Sequence, residues 1–203
     1  MRSTELTFGR SSMIRLDPSP LVAALAATLA STPPAVRWRT MGAGQEEPMV
    51  AWGEFAAASP ELARRGRELF ERTGIGEALL ATVRDDLPPR IHPIYVAVVE
   101  GRLLAFLIVG SGKVADLETD GRYALHAHQD PAVPHEFQVR GRAHEVRDRE
   151  LRTAAAAAWS FEVDDGYRLF EFGVEHAVFG ERGNADDWPP VYTSWRPAPP
   201  PAP

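Results

Sequence analysis

The chain is divided into short apolar runs, each bounded by glycine, proline or acidic turn residues. Runs at 78–84, 102–109, 123–128, 136–146 and 169–178 have strand length and are rich in branched and aromatic side chains. Residues 90–99 form another such run, with Pro93 inside it. Proline cannot donate to a sheet ladder, so this strand is expected at an edge or a bulge. Glu100 and Gly101 separate it from the next run and predict a tight hairpin. Residues 191–195 add a last short strand. Helical spacing appears elsewhere. Leu62, Leu69 and Phe70 fall at i, i+7 and i+8, behind Ser59 as N-cap and Pro60 at the first helical position. The stripe predicts a helix to about Arg72, ended by Gly74 and Gly76 and covering one mouth of a sheet. A short helix is expected at 114–119, closed by Gly121, and Asp148 caps an alanine-rich helix to Trp159. About six short, mostly sequential strands with few helices give a mainly β (α+β) protein, built as a closed or partly closed antiparallel barrel.

The 203 residues suit one domain with a real core. Residues 1–48 mix Ser, Thr, Pro, Gly and Arg around one short apolar block at 21–30. They are expected to be a disordered N-terminal extension, or to reflect a start codon placed too early. A weak secretory leader is disfavoured by Asp17 and two prolines where a basic region belongs. The folded domain is expected over 49–197, with a loose Pro/Ala tail at 198–203. A net charge of −6 argues against nucleic acid and anionic membrane surfaces as partners. With no cysteine, disulfides, thiolate metal sites and cysteine nucleophiles are excluded, and a reducing cytoplasm is compatible. No apolar run approaches the ~20 residues that span a bilayer.

Charge identity sharpens one loop. Gly110-Ser111-Gly112-Lys113 leaves a strand and opens a helix, and Lys113 is the single lysine among 22 Lys and Arg residues. Small residues at a helix start expose backbone N–H groups, and the helix dipole favours an anion there. Ser111 adds a hydroxyl, Gly112 permits close approach and Lys113 adds a mobile charge. Arg90, at the head of its strand, can reach the same end of a barrel and hold phosphate in a forked geometry. The competing reading is a plain turn with a solvated lysine. His126 and His128 share a strand face, as two metal ligands would, and His135 follows. No glutamate follows at a fitting distance, so surface or interface histidines are the favoured reading and no metal is expected. His92 either sits near a cofactor or fills a polar strand position. Asp164-Asp165 and Asp186-Asp187 read as solvated loops. No Gly-x-Ser-x-Gly elbow supports a serine hydrolase.

The run ATVRDDLPPRIHPIYV, the following VEGRLLAF, the segment SGKVADLETDGRYALH and the later FQVRGRA occur in this order. Together they resemble the pyridoxamine 5′-phosphate oxidase-like flavin-binding split-barrel family over residues 52–146. The resemblance implies a six-stranded antiparallel Greek-key split barrel with a few flanking helices. It also implies a homodimer that binds FMN in grooves along its interface. Arg90, Ile91, His92, Pro93 and Ile94 would then line the flavin, with Arg90 on the phosphate. Phe106, Leu107 and Ile108 would lie alongside it, Ser111, Gly112 and Lys113 would hold the phosphate, and Gln138 would make a polar contact. The vitamin-B6 oxidases of the family carry an arginine where Gly112 stands and a lysine near Tyr95. Pyridoxamine phosphate is therefore not the expected substrate, and a deazaflavin is the alternative cofactor to FMN. The function implied is a cytoplasmic FMN- or deazaflavin-dependent oxidoreductase acting on a small molecule. The alternative is a flavin-binding carrier or sensor without turnover.

Overall fold

The computed structural model describes residues 49–198, apart from 75, 85, 131, 133 and 185. The expectations for residues 1–48 and for the last part of the tail lie outside the described residues. Two helices come first, α1 (Trp52–Ala58) and α2 (Pro60–Glu71), followed by strands β1 (Glu77–Arg84), β2 (Leu87–Tyr95), β3 (Ala97–Val99) and β4 (Arg102–Ile108). Helix α3 (Gly112–Thr119) leads to β5 (Arg122–Ala127) and β6 (Glu136–Glu145). Helix α4 (Arg149–Ala157) then precedes β7 (Tyr167–Glu181) and β8 (Val191–Trp195). All pairings are antiparallel, in the order β2-β1-β5-β6-β7-β4-β3, with β8 added on β7.

The two ends of this order, β2 and β3, are separated in the chain by Val96 alone. Tyr95 pairs with Glu77 of β1, while Ala97 pairs with Leu104 of β4. One kinked segment therefore serves both margins and rolls the sheet into a split barrel. This corrects the expected strand count. The predicted strand at 90–99 is two strands, while the last short strand expected at 191–195 is β8, so eight strands stand where six barrel strands and one addition were expected. Pro93 lies on β2, which among the described residues pairs with β1 alone, in keeping with its missing N–H. Glu100 (φ 50) and Gly101 (φ 72) turn β3 into β4, both with the positive φ that a two-residue hairpin of this twist demands.

Alternation fills the barrel. Ala78 and Leu80 of β1, Leu103, Ala105 and Leu107 of β4, Leu125 of β5, and Phe137 and Val139 of β6 form one buried cluster. On β7, Phe170, Phe172 and Val174 face inward, and then Ala177 and Phe179 do so. This change of parity needs one extra residue. Arg140 pairs with His176 and Gly141 with Val174, so Glu175 is a bulge that keeps both halves of the strand facing the core. Helices α1 and α2 close one mouth. Trp52, Phe55, Leu69 and Phe70 join the core there, and Phe70 meets the Phe137 ring at 5.2 Å. Each fully buried ring of this kind contributes about 1.5–3 kcal/mol over the exposed state. Helix α1 lies just ahead of the predicted helix. Helix α4 covers the outside of β4 and β7 through Leu151 and Ala155, packed with Leu104, Phe106 and Leu169. Asp148 caps it, accepting from Glu150 N (2.8 Å) and Leu151 N (3.2 Å).

Candidate functional site

The start of β2 meets the loop that leaves β4. Gly110 (φ 73) turns the chain, and the Ser111 N–H donates to Ile108 O at 3.1 Å. Ser111 is the N-cap of α3, yet its hydroxyl makes no capping bond. That hydroxyl is buried and has no hydrogen-bond partner. Lys113, in the first turn of α3, has no ion-pair or hydrogen-bond partner among the described residues. The Val114 N–H donates to Ser111 O at 3.1 Å, while the Gly112 and Lys113 N–H groups have no acceptor within the helix, and the dipole adds positive potential.

Arg90 is held in place by Asp116. Its Nε donates to Asp116 Oδ2 (2.9 Å), and its Nη2 donates to Asp116 Oδ1 (2.6 Å) and to Gly112 O (3.0 Å). Thr82 Oγ1 donates to Asp116 Oδ2 at 2.8 Å. Asp116 is 1% exposed. The Arg90 guanidinium holds its carboxyl below the ordinary carboxylate range; burial opposes this and the Thr82 hydroxyl assists it. Gly112 is needed by this packing, because a Cβ there would lie 2.6 Å from Arg90 Nη1. The space that a side chain at 112 would take is filled by the arginine of β2. His92 completes the group. Burial pushes its imidazole below the usual value, and the positive charges of Lys113 and Arg90 push it further. Its Nε2 is buried without a partner.

Arg90, His92, Ser111, Gly112 and Lys113 therefore meet at one corner, with Asp116 behind Arg90. The other expected residues are distributed differently. Ile91 (68% exposed) and Pro93 stand on the outer face of β2, and Ile108 is also exposed. Ile94 and Leu107 point into the barrel core. Phe106 is covered by α4 and meets Trp159 edge-on at 4.9 Å. Gln138 is exposed on β6 but is not with the others in this chain. Pro93 pairs with Leu79, Leu79 with His126 and His126 with Gln138. Three strand spacings separate Pro93 from Gln138, about 14 Å. Asp116 and Thr82 were missed from the sequence. The signal available was a carboxylate between Val114 and Leu117 on the buried side of a short helix, which calls for a cation.

Three open clefts lie away from this corner. One of about 520 Å³ is edged by Arg64, Arg65 and Arg72, and one of about 770 Å³ by Arg142, Arg147 and Arg168. A third, of about 330 Å³, lies where β2 breaks into β3. The candidate site is defined by the meeting of Arg90, His92, Ser111 and Lys113, where two buried polar atoms, Ser111 Oγ and His92 Nε2, lack partners side by side, rather than by cleft size. Among the described residues, no group of three or more His, Cys, Asp or Glu could hold a metal ion. The His126 Nδ1 lies 2.6 Å from Ala127 O. No helix among the described residues is long and apolar enough to cross a membrane.

No family model matches the sequence, and no curated protein does. Solved structures do match in fold. The chain is similar to a NimC/NimA family protein from Clostridium acetobutylicum, with a TM-score of 0.50 and 18% identity over 65% of this chain and 92% of that one. It is similar to a heme binding protein from Mycobacterium smegmatis at 0.48 and 16%, over 64% of this chain and 57% of that one. A protein from Clostridium acetobutylicum related to general stress protein 26, of the pyridoxinephosphate oxidase family, gives 0.47 and 13%, over 71% and 95%. At these identities the likeness is one of fold. The likeness is to a mainly antiparallel β fold with flanking helices, the class the sequence implied.

Proposed function

We propose that the corner formed by Arg90, His92, Ser111, Gly112 and Lys113 binds the phosphate of FMN, or of a deazaflavin, and that the protein is a cytoplasmic oxidoreductase acting on a small molecule. One observation carries this reading. Two polar atoms, Ser111 Oγ and His92 Nε2, are buried without partners beside a lysine that also has none. A buried polar group left unsatisfied costs about 1–3 kcal/mol. A phosphate monoester supplies acceptors for the hydroxyl, the ammonium, the imidazole N–H and the Gly112 and Lys113 amides together. Asp116 orients Arg90 so that its remaining Nη1 edge adds to the same field. Ile91 and Pro93, outward on the same strand, offer an apolar strip for a flat ring.

A bound flavin would supply the electron acceptor and donor. The chain's own residues would fix its phosphate, orient it and shield its anchor from water.

The homodimer belongs to the same proposal. Ile91 of β2, Ala81 of β1 and Ala124 of β5 form one register row on the outer face, next to a row of Pro93 and Leu79. Among the described residues no helix in the core clusters covers this face, and exposed apolar surface of this kind supports an association site.

The test is the visible absorbance spectrum of the purified protein, alone and after addition of FMN or a deazaflavin. A bound chromophore is expected, reducible by NAD(P)H and reoxidised by an acceptor. A chromophore that binds but never turns over makes the protein a carrier or sensor. A protein that takes up neither cofactor sinks the reading.

A further inference from the structure

We propose that the free edge of β8 pairs antiparallel with the same edge of a second copy of this chain, about a two-fold axis through Thr193. The contact is separate from the phosphate corner and from the β2–β1–β5 face, and it does not rest on the flavin reading.

This edge is open and unguarded. Among the described residues β8 pairs with β7 alone, and Val191, Tyr192, Thr193 and Ser194 are all exposed. Every second residue of such a strand turns its N–H and C=O away from the sheet, where they template a further strand. Sheet margins are ordinarily blunted by proline, charge or shortness. The other two margins follow that rule. β2 carries Pro88, Pro89, Pro93 and Arg90, and β3 has only three residues. β8 reads Val-Tyr-Thr-Ser-Trp, with no charge and no proline, and all but Ser194 are strand-forming residues. Its large side chains leave the edge clear. The Tyr192 hydroxyl reaches back over Gly180 of β7 and donates to Glu136 Oε2 at 3.1 Å, and the Trp195 ring lies 4.8 Å from that of Phe55.

Self-complementarity selects a second copy as the occupant. With the axis at Thr193, that residue faces Thr193 of the second copy, Tyr192 faces Ser194 and Val191 faces Trp195. Thr–Thr and aromatic–β-branched pairs are among the favourable cross-strand neighbours. The flanks agree in charge. Asp186 and Asp187 precede the strand and Arg196 follows it. Antiparallel pairing therefore sets the acidic approach to each strand against the arginine that ends the other, once at each end of the ribbon. A parallel, in-register copy would oppose like charges instead.

The result is an isologous contact that continues the sheet from one chain into the next. Its strength is bounded by its size. Five residues from each copy bury far less than the roughly 1,200 Å² of a stable complex. The contact therefore forms at high concentration, with a dissociation constant of about 0.1–1 mM, and leaves the dilute protein in the state that its β2–β1–β5 face sets.

The experiment exploits a chain without cysteine. Thr193→Cys places one thiol on the axis, where paired Cα atoms stand about 4.5–5.5 Å apart, within disulfide reach. Val191→Cys, at another exposed position of the strand, lies about 14 Å from its counterpart. Both full-length variants are oxidised in air with copper phenanthroline at about 0.5 mM, and covalent dimer is read on a non-reducing gel. Thr193→Cys is expected to cross-link at least about tenfold faster than Val191→Cys. Sedimentation velocity gives a second readout, made in the Ile91→Asp chain so that the other face does not contribute. Its mean sedimentation coefficient should rise between about 0.01 and 0.5 mM. Adding Thr193→Lys, which sets like charges face to face on the axis, should abolish that rise. Near-UV circular dichroism verifies the fold of each variant. Equal cross-linking of the two cysteine variants, a sedimentation coefficient that does not change with concentration, or a rise that survives Thr193→Lys would overturn the proposal.

Discussion

The proposed phosphate role rests on Lys113 and Ser111, whose polar atoms have no hydrogen-bond partner among the described residues. Lys113→Ala should raise the FMN dissociation constant by about tenfold, the scale of one partly exposed charge-assisted hydrogen bond. Riboflavin, which lacks the phosphate, should bind both forms equally. An unaltered FMN affinity removes Lys113 from the phosphate role. Asp116 acts through Arg90, so its effect is on stability as well as binding. Its folded carboxyl is depressed, so its contribution is complete above the unfolded value of about 3.9 and is lost as pH falls through the folded one. Asp116→Asn should cost about 1–2 kcal/mol at neutral pH, limited by the partial exposure of Arg90. The difference from the parent should close in strong acid, as read by urea midpoints. His92 has the opposite sign. Its imidazole is also depressed, so the folded state binds fewer protons than the unfolded chain. That penalty is absent above about 6.5 and grows as pH falls to the folded value. His92→Gln should therefore narrow the stability gap between pH 7.5 and pH 5.5, and an identical gap in both proteins would refute it.

At the scale of elements, α2 seats on the barrel through a glycine. A Cβ at Gly66 would lie 2.3 Å from the ring of Phe137, which is fully buried. Alanine is the better helix former by about 0.8–1 kcal/mol. Overpacking a closed core costs about 1–3 kcal/mol. The Phe137 ring is wedged against Phe70 and Trp52 and has little room to yield. Gly66→Ala should therefore lower the thermal midpoint, and a rise would show that the ring can give. Asp148 is a simpler case. Its carboxylate accepts two N–H groups at the start of α4, and Asp148→Ala should cost about 1 kcal/mol, measured by denaturant titration.

For the whole molecule, the outer face of β2, β1 and β5, which no helix among the described residues covers, carries the proposed association. Light scattering should give twice the 22.3 kDa chain mass. Ile91→Asp, at a position 68% exposed in the single chain, should shift the protein to monomer without unfolding it. A parent that is already monomeric would leave the apolar face to another partner.

Local pattern by itself determined much of this protein. Strand-length apolar runs, the Glu100-Gly101 hairpin, the Asp148 cap and the Ser59-Pro60 helix start all act within a few residues, and each is found where the pattern put it. The strand-to-helix loop at Gly110–Lys113 was also legible, because small residues before a helix and a lone lysine are local facts. Long-range decisions were not. The break of one strand at Val96 follows from closing a twisted sheet on itself, which no run of ten residues encodes. The Glu175 bulge has the same origin, since parity can be judged only against the paired strand. Asp116 gains its meaning from an arginine 26 residues earlier, and Gly112 from that same guanidinium lying where a side chain would go. Side-chain direction on β4 was likewise a tertiary matter. Its run is apolar on both faces, and only the barrel on one side and α4 on the other separate Leu107 from Phe106.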